Sequence, residues 1–219
     1  MFGLDHALAG ASDGTTLLVV LGIALLLGLR HASDPDHLAA VTTLAAGDAR
    51  AATRLGLAWG VGHGSSLFAF GVPIVLYRAY LPGVVQVGAE TAVGAVIVGL
   101  ALSLLVRWHR GAFGPHAHPR RTRTRAGAFA IGIVHGTGGS AGVGVLLLAA
   151  IPDRTIALAS LAVFAVGTAL SMALLSGGFA RTLAGRPLAR IAPALGVASL
   201  AFGVWYTLGA LHLAPYVFQ

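Results

Sequence analysis

Leu27-Gly-Leu-Arg30-His31-Ala-Ser33-Asp34-Pro35-Asp36-His37-Leu-Ala-Ala-Val41 lies inside an apolar run that extends from Thr16 to Ala46. As one straight helix those 31 residues would measure about 46 Å, against a bilayer core of ~30 Å, so the run must be broken. Pro35 marks the place, because it cannot donate to the preceding turn, and Ser33 or Asp34 can cap a new helix that has Pro at its first position. The expected form is an outer half-helix ending near His31, an unwound turn, and an inner half-helix from Pro35 to Ala46. By helical rise His31 sits about 22 Å below the outer end, at membrane depth. Two imidazoles and two carboxylates within seven residues are costly there, and such groups are kept where they pair, conduct or bind.

Five further apolar runs follow: Leu55–Tyr77, Pro82–Val106, Ala126–Ala150, Thr155–Ala180 and Ile191–Leu213. Each is 23 to 26 residues long, suited to one tilted crossing. The chain of 219 residues is 57% hydrophobic and 10% charged, well below the ~25% charged of soluble domains, and it reads as a single transmembrane domain over 1–219. There is no cysteine, which excludes disulfides, thiol redox chemistry and thiolate metal sites. The first 15 residues carry no basic residue, so they lack the charged region of a signal peptide, and the first span is expected to be retained. The positive charge behind the net +7 comes entirely from arginine, all but Arg30 in loops, so it is read as topogenic charge and not as a nucleic-acid surface. Eleven of the 14 arginines fall after spans one, three and five, which places those loops in the cytoplasm and both termini outside. A multi-pass protein of a bacterial cytoplasmic membrane is the expected setting.

The chain also repeats. A shift of 104 residues lays Leu27-Gly-Leu-Arg-His31 over Ile131-Gly-Ile-Val-His135, and each histidine precedes a helix-breaking segment, Ser33–Pro35 in one half and Gly136–Gly139 in the other. Three spans per half make the second half enter from the opposite face. The expected architecture is therefore all-α, with six transmembrane helices as two inverted three-helix repeats (about 16–106 and 126–213) and broken helices one and four. In that arrangement the two breaks lie side by side near the bilayer midplane.

His31, Asp36 and His37, with Asp34 as a second carboxylate, form a donor set suited to Ni(II), Co(II), Zn(II) or Cu(II). His63, in Trp59-Gly-Val-Gly-His63-Gly64, and His135, the repeat mate of His31, are candidates to complete the site. Arg30 and Glu90 are the other charges inside spans, and a structural pairing of Arg30 with Glu90 or with a motif Asp is expected. His109, His116 and His118 fall in the Arg-rich third loop and read as solvated. The Gly-rich stretch after His135 lacks the Lys-Ser/Thr ending of a phosphate loop, and no nucleophile has a base partner, so no enzyme is expected.

The His31-x4-Asp36-His37 element, preceded by Leu-Arg and followed by an apolar half-helix, resembles the signature of the nickel/cobalt transporter (NiCoT) family. His135-Gly-Thr-Gly-Gly-Ser140-Ala141 is similar to the His-Gly-x-x-Gly-Ser-Ala segment of that family's urease-accessory-type branch, within the lysine-exporter-like superfamily. The resemblance implies metal-ligand roles for His31, Asp36 and His37, with Asp34 in the same motif. It implies a secondary transporter that moves Ni(II), or Co(II), inward as substrate with no resident cofactor. Two inward charges would gain about 4.6 kcal/mol per 100 mV of membrane potential. Pro35 replaces the alanine usual in better-characterised importers, and their later Asp-Thr-Ala-Thr-Glu-type motif is missing. Efflux therefore stays open, as does an accessory protein that hands metal to a metallochaperone or to urease or hydrogenase maturation proteins.

Overall fold

A computed structural model describes residues 2–44, 49–77, 82–111, 124–138, 145, 149–184 and 188–215. Among these the chain forms seven helices and no strand: α1 Phe2–His31, α2 Pro35–Leu44, α3 Ala49–Tyr77, α4 Gly83–His109, α5 Arg125–His135, α6 Arg154–Ala184 and α7 Leu188–Ala210. The first break falls where Pro35 requires it. The Ser33 and Asp34 amides close the end of α1 on the carbonyls of Arg30 and His31 at 2.8 and 3.1 Å. The Asp34 carbonyl then accepts from His37 and Leu38 to start α2. α1 begins earlier than the apolar run alone suggested, at Phe2, and α2 is described to Leu44.

Four helices are long and apolar enough to cross a membrane: Ala49–Tyr77, Gly83–His109, Arg154–Thr182 and Arg190–Ala210. The broken first segment contributes the shorter apolar helix Leu17–His31. The polarity of the bundle is inverted relative to a water-soluble protein. Leu18, Leu174 and Val84 are 72%, 69% and 86% exposed, while histidines, carboxylates and hydroxyls are buried. Large apolar patches facing outward are unfavourable in water and favourable in lipid. The chain is a helical, membrane-type protein.

Small residues let the helices dock backbone to backbone. On α3, Gly56, Gly60 and Gly64 recur every four residues against Met172/Ser176, Ala169 and Ala165 of α6. A Cβ at Gly60 would lie 2.6 Å from the Ala169 Cα. The opposite face of α3 carries Gly62 against Phe129 and Ile133 of α5. The contacts come in exchanged pairs. Gly28 of α1 meets the Phe164 carbonyl and the Thr168 amide of α6, and Gly132 of α5 meets the Trp59 carbonyl and the His63 amide of α3. Gly56 meets Ser176 while Gly71 meets Leu161, and Gly94 meets Thr207 while Gly203 meets Val98. Each pair maps onto its mate by a shift of 104, 105 or 109 residues that carries one half of the chain onto the other. The helix pairs α3–α5 and α1–α6 are related in the same way, and α2 lies between α3, α4, α6 and α7.

Candidate metal centre

Four elements converge on one buried point. α1 ends with His31, the break supplies Asp34, α2 opens with Asp36 and His37, α3 brings His63, and α5 ends with His135. Gly136 makes the approach of α5 feasible: a Cβ there would meet Ser66 Oγ and lie 2.5 Å from the His63 carbonyl oxygen. Its φ of −81° is ordinary, so the position needs a small residue and not an unusual backbone. Ser171 Oγ ties α6 to α1 by donating to the Leu29 carbonyl at 2.8 Å, two residues before His31.

The imidazoles pack against each other. Ring centroids are 4.5 Å apart for His31 and His37, 4.7 Å for His37 and His135, and 4.9 Å for His37 and His63. His37 is at the centre. All four rings and Asp36 are buried, and Asp34 is partly so. Two groups of three residues each offer ligand atoms within 4.8 Å of one another: His31, His37 and His63, and Asp36, His37 and His135. His37 belongs to both.

The hydrogen bonds assign the protons. A carboxylate only accepts, so His37 Nδ1–H donates to Asp36 Oδ1 at 3.0 Å and His135 Nε2–H donates to Asp36 Oδ2 at 3.3 Å. His31 Nδ1–H donates to Asp34 Oδ2 at 3.1 Å, and its Nε2 then accepts from His63 Nε2–H at 3.2 Å. What remains is His37 Nε2, His63 Nδ1 and His135 Nδ1, each buried without a hydrogen-bond partner. All three are bare lone pairs. A buried polar atom left unmatched costs about 1–3 kcal/mol. An electrophile removes that penalty. Carboxylate–histidine pairs of this kind fix ring orientation and raise ligand basicity at metal sites.

Neutral imidazoles with one or two carboxylates suit borderline divalent ions and not the oxygen-loving Mg(II) or Ca(II). The two carboxylates also balance a double charge. The expected pairing of Arg30 with Glu90 or with a motif Asp is not formed among the described residues: Arg30 is exposed, Asp34 accepts from His31, Asp36 is held by the two histidines, and Glu90 accepts from Gln86 Nε2 at 3.1 Å. Arg30 lies about 100° around α1 from His31 and is exposed, which keeps it out of the buried cluster.

The chain is similar to the urease accessory protein UreH of Bacillus sp. (strain TB-90). The two are 29% identical over 172 residues, 73% of this chain and 75% of the relative. No protein-family model matches the chain, and no solved structure matches it.

All six residues singled out in the sequence, His31, Asp34, Asp36, His37, His63 and His135, are thus brought together. Of the second break, Gly136–Gly138 form a turn after α5, while Gly139 and Ser140 lie outside the described residues. His109 is exposed at the end of α4, and His116 and His118 lie outside the described residues. Two wall residues were missed. The Trp59 indole packs 5.6 Å from both His37 and His135, and Phe164 packs 5.5 Å from His31. The signal for Phe164 was present in the repeat, because a shift of 105 residues lays Trp59 on Phe164 and His63 on Thr168.

Proposed function

We propose that this chain is a secondary transporter of the nickel/cobalt type, in its urease-accessory-like branch, carrying Ni(II) with Co(II) as the alternative cargo. The observation that carries the reading is the double membership of His37 in two overlapping three-donor groups, with three unmatched lone pairs in a buried cluster. His31, His37 and His63 offer a neutral nitrogen set, and Asp36, His37 and His135 a set with one negative charge. The cation is held by dehydration onto these donors and passes between the sets by exchanging partners around His37.

Six spans in two inverted repeats complete the reading, with both termini outside the cytoplasmic membrane. The exchanged glycine contacts support the repeat, and the arginine distribution supports the orientation. Import is the favoured direction, since an inside-negative potential draws a dication inward. The metal would be delivered to a metallochaperone or to urease or hydrogenase maturation proteins.

A second reading is favoured by the likeness to a urease accessory protein: an accessory protein of the membrane that passes metal to such partners without translocating it. Radiolabelled Ni(II) flux into proteoliposomes under an imposed potential separates the two. Uptake driven by an inside-negative potential and lost in His37→Ala supports import. Accumulation only under the opposite potential selects efflux. Saturable Ni(II) binding with no flux in either direction selects the accessory role.

A further inference from the structure

Glu90 is a carboxylate within a membrane helix that neither the cluster nor an arginine accounts for. It is 6% exposed, and no ion pair to it is formed among the described residues. Its position on α4 is specific. The turn that ends α5 abuts α4 here: a Cβ at Gly138 would lie 2.9 Å from the Glu90 amide nitrogen and 3.0 Å from the Ala89 carbonyl carbon. Gly138 is three residues from His135, whose ring reaches Asp36. On its other side Glu90 Oε1 accepts from Gln86 Nε2, one turn nearer the start of α4, and Gln86 is exposed. Gln86, Glu90, the Gly136–Gly138 turn and His135 therefore form a continuous series from the surface to the cluster.

Burying an ionised carboxylate next to neutral amide and backbone groups is unfavourable without a cation. Its carboxylate and the neighbouring Gln86 amide oxygen offer oxygen donors with no imidazole among them. Such an environment takes a hydrated divalent cation by charge and does not discriminate between elements, in contrast to the imidazole-rich cluster. We infer that Glu90, assisted by Gln86 and the α5 turn, is a capture subsite where a hydrated divalent cation waits before losing water to the His/Asp cluster. The inference rests on the metal-binding part of the function proposed above and not on translocation. Charge attraction accelerates association, so Glu90 acts on arrival at the cluster and leaves escape from its nitrogen donors unchanged.

The test is stopped-flow mixing of Co(II) with the detergent-solubilised full chain, read by quenching of tryptophan emission. The cluster phase is the part of the signal that His37→Ala removes, since Trp59 lies 5.6 Å from His37. Glu90→Gln keeps the size of the side chain and an acceptor oxygen for Gln86. It is expected to slow association about tenfold with dissociation unchanged, and Glu90→Asp to stay within about threefold of wild type. On the wild-type chain, millimolar Mg(II) is expected to slow Co(II) association at constant ionic strength, because the oxygen subsite accepts Mg(II) and the cluster does not. An association rate indifferent to both Glu90→Gln and Mg(II), or an effect confined to dissociation, overturns the inference. Absence of any His37-dependent phase overturns it together with the metal-binding reading. Slowed capture in Glu90→Gln combined with no flux in proteoliposomes supports the subsite and overturns transport alone.

Discussion

Replacing His37 by alanine should damage metal binding more than replacing any other histidine of the cluster. His37 is in both three-donor groups, whereas His31 and His63 are in one and His135 in the other. His31→Ala or His135→Ala therefore leaves one group of three intact, while His37→Ala leaves two pairs. Loss of an outer partner at a metal site typically weakens binding 10–100-fold. Loss of a directly bonded donor common to both groups should then reach at least about 100-fold, or about 2.7 kcal/mol. The fold should survive, because the deleted ring carries an unmatched Nε2 whose removal recovers about 1–3 kcal/mol against the cavity it opens. The assay is equilibrium titration of the solubilised protein with Co(II), read by ligand-field absorption and by calorimetry, with monodispersity and thermal unfolding as controls. His31→Ala and His135→Ala should each weaken binding by no more than about tenfold, and the double variant should match His37→Ala. A His37→Ala protein that binds within threefold of wild type would refute the shared-ligand argument. So would a ranking in which His135→Ala is the most damaging.

Asp36→Asn keeps the shape of a side chain whose two oxygens orient His37 and His135, so it should weaken Co(II) binding by 10–100-fold without unfolding the protein, checked by the same titration. Gly132→Val should prevent stable assembly, because its Cβ would meet the Trp59 carbonyl and lie 2.8 Å from the His63 amide nitrogen; Gly99→Ala, with open space at that position, should be neutral, and the yield of folded protein compares them. Co(II) affinity should fall as pH drops, because ligation requires neutral imidazole and each displaced proton adds up to tenfold per pH unit; titrations taken down to the acid limit of folding measure the slope. Affinity unchanged down to that limit would argue against imidazole ligands.

Much of the site was legible because its chemistry is local. His31, Asp34, Asp36 and His37 stand within seven residues around Pro35, and a proline inside an overlong apolar run forces the break that gathers them. His135 could be added because a shift of 104 residues lays His31 over it and a second helix-breaking segment follows it. The fate of Arg30 was not legible. Residues 30 and 31 are neighbours in sequence but lie about 100° apart around a helix, so one can be exposed while the next is buried. Glu90 could not be placed for a related reason, because its neighbour depends on which helix α5 touches at its end. Helix ends were blurred as well, because apolar composition marks the lipid-crossing part of a helix and not where its hydrogen bonds begin: α1 starts at Phe2, ahead of the apolar run.

The paired contacts and the cluster together define an asymmetry that bears on how a cation could move. The scaffold treats its halves alike: Gly28 against α6 is the counterpart of Gly132 against α3, and Trp59 is the counterpart of Phe164. The chemistry does not. His63 corresponds to Thr168, whose hydroxyl donates to the Phe164 carbonyl at 2.9 Å, so the second half has no imidazole there. His31, His37 and His63 come wholly from the first half, whereas Asp36, His37 and His135 span both. A displacement of one half against the other can therefore separate His135 from Asp36 and His37 while the first-half group keeps its three nitrogens. The cation would gain or lose the charged set with each displacement, and His37 would remain bound throughout. A symmetric site would offer the same donors on both sides of the movement and give the ion no reason to change partners. The two halves are made chemically distinct by Thr168 where the first half has His63, and by Ser140 and Ala141, which the 104-residue shift lays on Asp36 and His37.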